Sequence, residues 1–246
     1  PQSQPDLILN GSVAADIKEE QIVQGAEKQF DADTDVKYVK TKSKYDRSEP
    51  PLGDMPLVKV PDVWQHQQQN GMKVYGIEHN ELPLVQFSLR IDGGQLLDAS
   101  GKTGTAVLLA DMLNEGTALK TPAELEEAIG LLGASLNVRA DREGIYVSGN
   151  TLARNFQETL GLVEEMLTQP RWDEKSWEQV KSRRITRIKQ SKTRAQTVAF
   201  NALRLQIYGE NHPAGMPVGG TESSVNNATL SDLKAYFNQN ISPMNA

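Results

Sequence analysis

Val107, Ala110 and Asp111 lie at i, i+3 and i+4 of the segment Gly104-Thr-Ala-Val-Leu-Leu-Ala-Asp-Met-Leu-Asn-Glu-Gly116-Thr117. Residues so spaced share one face of a helix. Histidine and glutamate at three such positions would hold zinc and activate its water. Valine and alanine carry no donor, and a single aspartate is not a metal site. Asp111 therefore reads as a carboxylate that faces a solvent-filled cleft or caps a neighbour.

Other residues with chemistry are scattered. The three histidines, His66, His79 and His212, fall in a strand, at a strand end and in a loop. None has a histidine or carboxylate partner at i+3 or i+4, so surface or packing roles are expected. No Gly-x-Ser-x-Gly elbow supports a serine hydrolase. Gly93-Gly94 and Gly219-Gly220 match no phosphate loop or dinucleotide fingerprint and read as turns. Lys181 to Arg194 carries seven basic residues and no acid, without interleaved aromatics. In a chain of net charge −6, that run reads as a solvated or partner-facing helix surface rather than a nucleic-acid patch.

The elements that must position these residues follow in order. Residues 1–60 are polar and mixed in sign. They read as a linker or extended arm, with one possible short helix from Ala14 to Gln29. Val63-Trp-Gln-His-Gln-Gln and Met72-Lys-Val-Tyr-Gly-Ile flank Asn70-Gly71, the strongest short hairpin signal. Leu84 to Ile91 reads as a third strand, and the three are expected to form an antiparallel meander. A helix over Gly104–Asn114 follows. Thr121-Pro122-Ala-Glu124 is a capping box with proline at the first helical position. Ser135–Ala140 and Gly144–Ser148 read as strands. Phe156, Leu160, Val163 and Leu167 mark an amphipathic helix that ends before Pro170. Asp173 caps a helix running to about Lys192, and helices are expected over Ala195–Tyr208 and Leu230–Asn238. This order predicts an α+β fold, a mostly antiparallel sheet with helices packed on one face.

A chain of 246 residues with 38% hydrophobic and 24% charged residues can bury a real core. It has no cysteine, which removes disulfides and thiolate metal sites. No apolar run is long enough to span a membrane. The chain opens on Pro-Gln-Ser-Gln and stops at Ile241-Ser-Pro-Met-Asn-Ala246 without a closing element. It reads as a piece cut from a longer protein.

From about Trp64 onward the chain resembles the insulinase/pitrilysin family of inverted-motif zinc peptidases, which includes the mitochondrial processing peptidase subunits. The resemblance rests on Asn70-Gly71-Met-Lys-Val74, Ile91-Asp-Gly-Gly94, the Gly104–Thr117 segment, Leu132-Gly-Ala-Ser-Leu-Asn137, Arg171-Trp172, His212-Pro213 and Pro243-Met-Asn-Ala246. It implies a mitochondrial processing peptidase-like metallohydrolase subdomain over residues 61–246, ending before its last strand. In active members His-x-x-Glu-His binds zinc, with the glutamate as general base. Carried over, the first histidine falls on Val107, the base on Ala110 and the second histidine on Asp111. The distal glutamate ligand falls near Thr186 or Arg187.

This chain would then lack catalytic and metal residues and resemble the degenerate half of a two-half peptidase. Its expected cofactor is none, with zinc in the partner catalytic half, of the same or a paired polypeptide. Its expected role is to wall the chamber and offer a strand edge at Leu136, Asn137 and Val138 to an extended peptide. The arm before Val60 would connect it to the preceding half. The alternative is a scaffold or assembly subunit that binds no peptide. Neither nucleic acid nor a membrane span is expected. Family habit suggests a bacterial periplasmic location.

Overall fold

The computed structural model describes residues 44–46, 48, 49, 51, 53 and 60–246. The expected helix at Ala14–Gln29 lies outside them. The chain divides into two units, Pro1–Val58 and Lys59–Ala246. In the first, Asp46 accepts the Ser48 N–H at 2.8 Å, and the Lys44 ammonium lies 5.1 Å from the Tyr45 ring centre. All elements below belong to the second.

Strands β1 (Val63–Gln67) and β2 (Lys73–Ile77) form the antiparallel hairpin around Asn70-Gly71. Gly71 takes φ +91, which side chains disfavour there. The meander expectation fails at the next step. Strand β3 (Leu84–Asp92) does not join the hairpin; it pairs antiparallel with β5 (Gly144–Leu152), which pairs in turn with β4 (Ser135–Ala140). The sheet order is β3-β5-β4. The physical reason is the buried face. Leu89, Val147 and Val138 stand in one row, and Ile91, Ile145 and Ala140 in the next. The hairpin leaves its apolar side chains outside that face: all of β1 is exposed, and Val63, Trp64, Tyr75 and Ile77 reach solvent. Gly149 sits between Phe87 and Leu136; a Cβ there would come within 2.8 Å of both side chains. The opposite face carries Ser88, Ser148, Asn137, Arg90, Tyr146 and Arg139 and faces solvent.

Seven helices follow among the described residues: α1 (Thr105–Leu113), α2 (Pro122–Leu131), α3 (Phe156–Thr168), α4 (Glu174–Ser191), α5 (Ala195–Tyr208), α6 (Glu222–Asn227) and α7 (Leu230–Asn240). The domain is α+β with antiparallel sheets and helices on one face. The capping box at Thr121 is formed, and Asp173 and Thr229 cap α4 and α7. The short α6, capped by Thr221, has too few residues to show a period and escaped the sequence pattern. Helix α1 is the centre: Leu108, Leu109, Met112 and Leu113 are fully buried, and it touches β4, α4 and α7. Helix α5 is the opposite case. Val198, Phe200, Leu203, Ile207 and Tyr208 are all exposed, and none of its residues is buried.

The Asp-Gly-Gly end of β3 does more than turn. Gly93 donates to Glu143 O at 2.7 Å, Gln95 to Asp141 O and Leu96 to Arg142 O, both at 2.9 Å. The motif clamps β3 to the β4–β5 turn. Tyr236 of α7 donates to Gly94 O at 2.7 Å.

Asp98 fixes the start of α1. Its carboxylate accepts Gly104 N–H at 2.7 Å and Ala106 N–H at 2.9 Å. Burial pushes its pKa up to about 6, against the pull of those N–H donors. A carboxyl whose folded pKa lies above its unfolded value stabilises most when protonated, so stability declines as pH rises through that interval. Between pH 5 and 7 unfolding free energy from urea titration should therefore fall by about 1 kcal/mol from Asp98 alone. The fall should vanish in Asp98→Ala, which starts from a lower value.

Candidate functional site

Helix α1, helix α4 and strand β4 border a cleft of about 750 Å³ that contains Val107, Ala110, Asp111, Asn114, Leu136 and Arg187 in its lining. The three expected vacancy positions sit together on this wall, as their spacing requires. Their chemistry does not suit a cation. Val107 and Ala110 offer no donor, and Asp111 is already committed. It makes a short ion pair with Arg184, and Arg187 Nη1 stands 3.8 Å from its other oxygen. Glu115, one turn on, pairs with Arg183.

Helix α4 thus presents Arg183, Arg184 and Arg187 at i, i+1 and i+4, where they meet two carboxylates of α1. Arg184 side chain is only 14% exposed, and its Nε has no partner among the described residues. The family resemblance sets the distal ligand position near Thr186 or Arg187; the residue that meets Asp111 most closely is Arg184. The α4 basic run therefore partly closes the cleft rather than facing solvent throughout. Among the described residues, no group of three or more histidine, cysteine, aspartate or glutamate side chains could hold a metal. The residues present at α1 and α4 do not fit zinc, because two guanidinium groups lie where a ligand set would gather its charge.

The Gly-Thr exit holds α1 in place. Gly116 takes φ +98, and a Cβ there would approach Lys120 O to 2.5 Å. Buried Thr117 donates to Glu165, which also receives Lys120 Nζ at 2.6 Å.

Among the described residues strand β4 is an edge, with β5 on one side only. Leu136 and Val138 turn their side chains into the core row, and Asn137 turns its own to the polar face. Backbone directions differ from side-chain directions. Val138 N–H and C=O point away from β5, because both bond the Asn114 carboxamide: N–H to Oδ1 at 3.0 Å, Nδ2 to C=O at 2.8 Å. By strand parity the backbone groups of Leu136 point the same way, while those of Asn137 face β5. Of the three expected contact residues, Leu136 is the one with outward main-chain groups that Asn114 does not fill. In the sequence Asn114 is only the last residue of a helix, and nothing local marks its bonds to β4.

The histidines are not brought together. His66 lies on β1, His79 follows β2, and His212 precedes Pro213, where its ring accepts Ala214 N–H at 3.1 Å. No described helix is long and apolar enough to cross a membrane.

Comparison with known proteins gives this cleft its context. The model of the family "Insulinase (Peptidase family M16)" matches residues 75–222. The non-peptidase homolog YmxG of Helicobacter pylori is 28% identical over 174 residues, 70% of this chain and 40% of its own length. The beta subunit of mitochondrial-processing peptidase from Mus musculus is 23% identical over 181 residues, 74% of this chain and 37% of its own. A solved peptidase M16 inactive domain from Pseudomonas fluorescens superposes with a TM-score of 0.67 at 26% identity, covering 71% of this chain and 42% of that one. A solved Helicobacter pylori protease, at 16% identity and a TM-score of 0.69, shares the fold. The chain spans about two fifths of the length of these curated relatives. A non-catalytic role fits a chain similar to a non-peptidase homolog and to an inactive domain. The matched stretch covers more than half the sequence, including both walls of the cleft, and the chain belongs to the insulinase family of peptidases, family M16.

Proposed function

We propose that this chain is a non-catalytic domain of a zinc metalloendopeptidase, walling the chamber in which a zinc-bearing partner half hydrolyses extended peptides. The observation that carries the reading is the Asp111–Arg184 pair. Val107, Ala110 and Asp111 stand for the first ligand, the general base and the second ligand of active relatives, and a guanidinium now neutralises the one carboxylate left. The peptide would lie along the edge of β4 at Leu136, with Asn137 and Val138 beside it, paired through main-chain hydrogen bonds. The partner is the catalytic half, in the same or a paired polypeptide, and zinc belongs to that half. A periplasmic location belongs to the same reading.

The experiment mixes the 246-residue chain with a family half that bears His-x-x-Glu-His and measures hydrolysis of an unstructured peptide. The rate should rise when the chain is added. Leu136→Pro removes one outward N–H without breaking a bond to β5, and it should abolish the rise in a chain that stays folded by circular dichroism. No rise with the wild-type chain would leave the scaffold role instead.

A further inference from the structure

The carboxamide of Asn114 imitates a peptide group. Its Oδ1 accepts Val138 N–H at 3.0 Å, and its Nδ2 donates to Val138 O at 2.8 Å and to Ala110 O at 2.8 Å. The first two bonds are the pair that a residue of a facing strand would make at this position. The third satisfies one of the last carbonyls of α1, which has no partner further along the helix. Both Nδ2 hydrogens are used. The opposite amide orientation would set Nδ2 against Val138 N–H and Oδ1 against two carbonyls, so the bonding pattern fixes which atom is which.

We propose that Asn114 is a built-in occupant of the β4 edge, a specificity-determining residue that stops an extended peptide from pairing past Leu136. The inference rests on the edge-binding reading above and adds to it a limit on what the edge accepts. Outward main-chain groups on β4 belong to Leu136, Val138 and Ala140, two residues apart. With the middle set filled, a peptide cannot run its ladder along the whole strand. It bonds at Leu136 and must then leave the edge, or it must displace Asn114. Displacement exchanges two bonds for two and strands Ala110 O. The wild-type edge therefore suits short or turning backbone segments and disfavours a long continuous strand.

A short fluorescein-labelled peptide of alternating threonine and serine is the probe, with binding to the 246-residue chain read by fluorescence anisotropy. Asn114→Ala frees Val138 and should tighten binding roughly three- to tenfold, the worth of one or two net hydrogen bonds. Asn114→Asp sets a carboxylate against two carbonyls, which drives the side chain off the edge, and should also tighten binding. A second peptide, N-methylated along its backbone so that it can accept but not donate, should gain less from either substitution. Both variants should be less stable to urea than wild type, so a purely structural role for Asn114 predicts weaker or unchanged binding. Unchanged or weaker binding by folded Asn114→Ala, while wild type binds, overturns the proposal and leaves the edge reading intact. An equal gain for the methylated peptide also overturns it. Absence of binding by wild type and both variants overturns the edge reading and the proposal with it.

Discussion

Asp111→Ala should destabilise the domain by about 3 kcal/mol, read as a shift in the urea midpoint at unchanged slope. The loss comes from what is left behind rather than from the attraction removed. Arg184 would keep its charge in a site where only 14% of the side chain reaches solvent and where Nε has no partner among the described residues. Breaking a fully buried pair costs about 3–5 kcal/mol; the 24% exposure of Asp111 places this pair at the lower end. Arg187, at 3.8 Å, has a side chain 61% exposed and keeps its charge in water, so it adds little to the loss. Removing both partners is expected to be milder. Asp111→Ala combined with Arg184→Met should return to within about 1 kcal/mol of wild type, because an apolar side chain of similar length needs no counter-ion. A neutral Asp111→Ala would mean that the pair is loose in solution, and the double variant would then show no recovery.

Gly94→Ala is expected to lose about 3–4 kcal/mol, or to prevent folding. Two terms combine. Gly94 takes φ +61, where an ordinary side chain costs about 1–2 kcal/mol. The added Cβ would also stand 2.5 Å from Asp141 O and 2.6 Å from Gly144 N. These are main-chain atoms of the β4–β5 turn and cannot rotate away. Relief would need β3 to separate from that turn, which would break the Gly93, Gln95 and Leu96 bonds together. Gly130→Ala supplies the contrast. Gly130 lies inside α2 with open space where its Cβ would stand, and alanine there should add about 0.5–1 kcal/mol of stability. Equilibrium unfolding of both variants separates the effect of conformation and crowding from that of glycine removal in general.

Helices were legible in the sequence because their signals are local. Thr121 and Glu124 form a capping box within one turn, Asp173 caps the first N–H groups of α4, and the leucines of α1 repeat at helical spacing. Strand pairing was not legible in the same way. Val85 pairs with Thr151 and Ile91 with Ile145 across an interval that contains two helices and a strand. Nothing in the run from Lys73 to Asp92 distinguishes that outcome from a three-strand meander. The site divides along the same line. The co-facial placement of Val107, Ala110 and Asp111 follows from a period of 3.6 residues. Arg184 reaches Asp111 across the chain, and its selection over Thr186 or Arg187 depends on the relative rotation of α1 and α4. Asn114 was hidden for a further reason. Asparagine at a helix end has a local explanation as a cap, so its bonds to a strand 24 residues away leave no trace in the pattern.

Helix α5 gives the domain an uneven energy profile. A segment of 14 residues with none buried packs on the Pro213–Gly215 turn and stacks Tyr208 on His212; otherwise it depends on main-chain bonds and intrinsic preference, which for isolated helices of that length are marginal in water. Losing it removes nothing from the cluster around Leu108, Leu109 and Leu113. The domain is therefore a cooperative centre with a separable margin. Sub-global opening of residues 195–208 should require less free energy than opening of α1, and amide hydrogen exchange should report the two as distinct units. The apolar side chains released in that opening are already 37–63% exposed, so the event should add little heat capacity and respond weakly to denaturant.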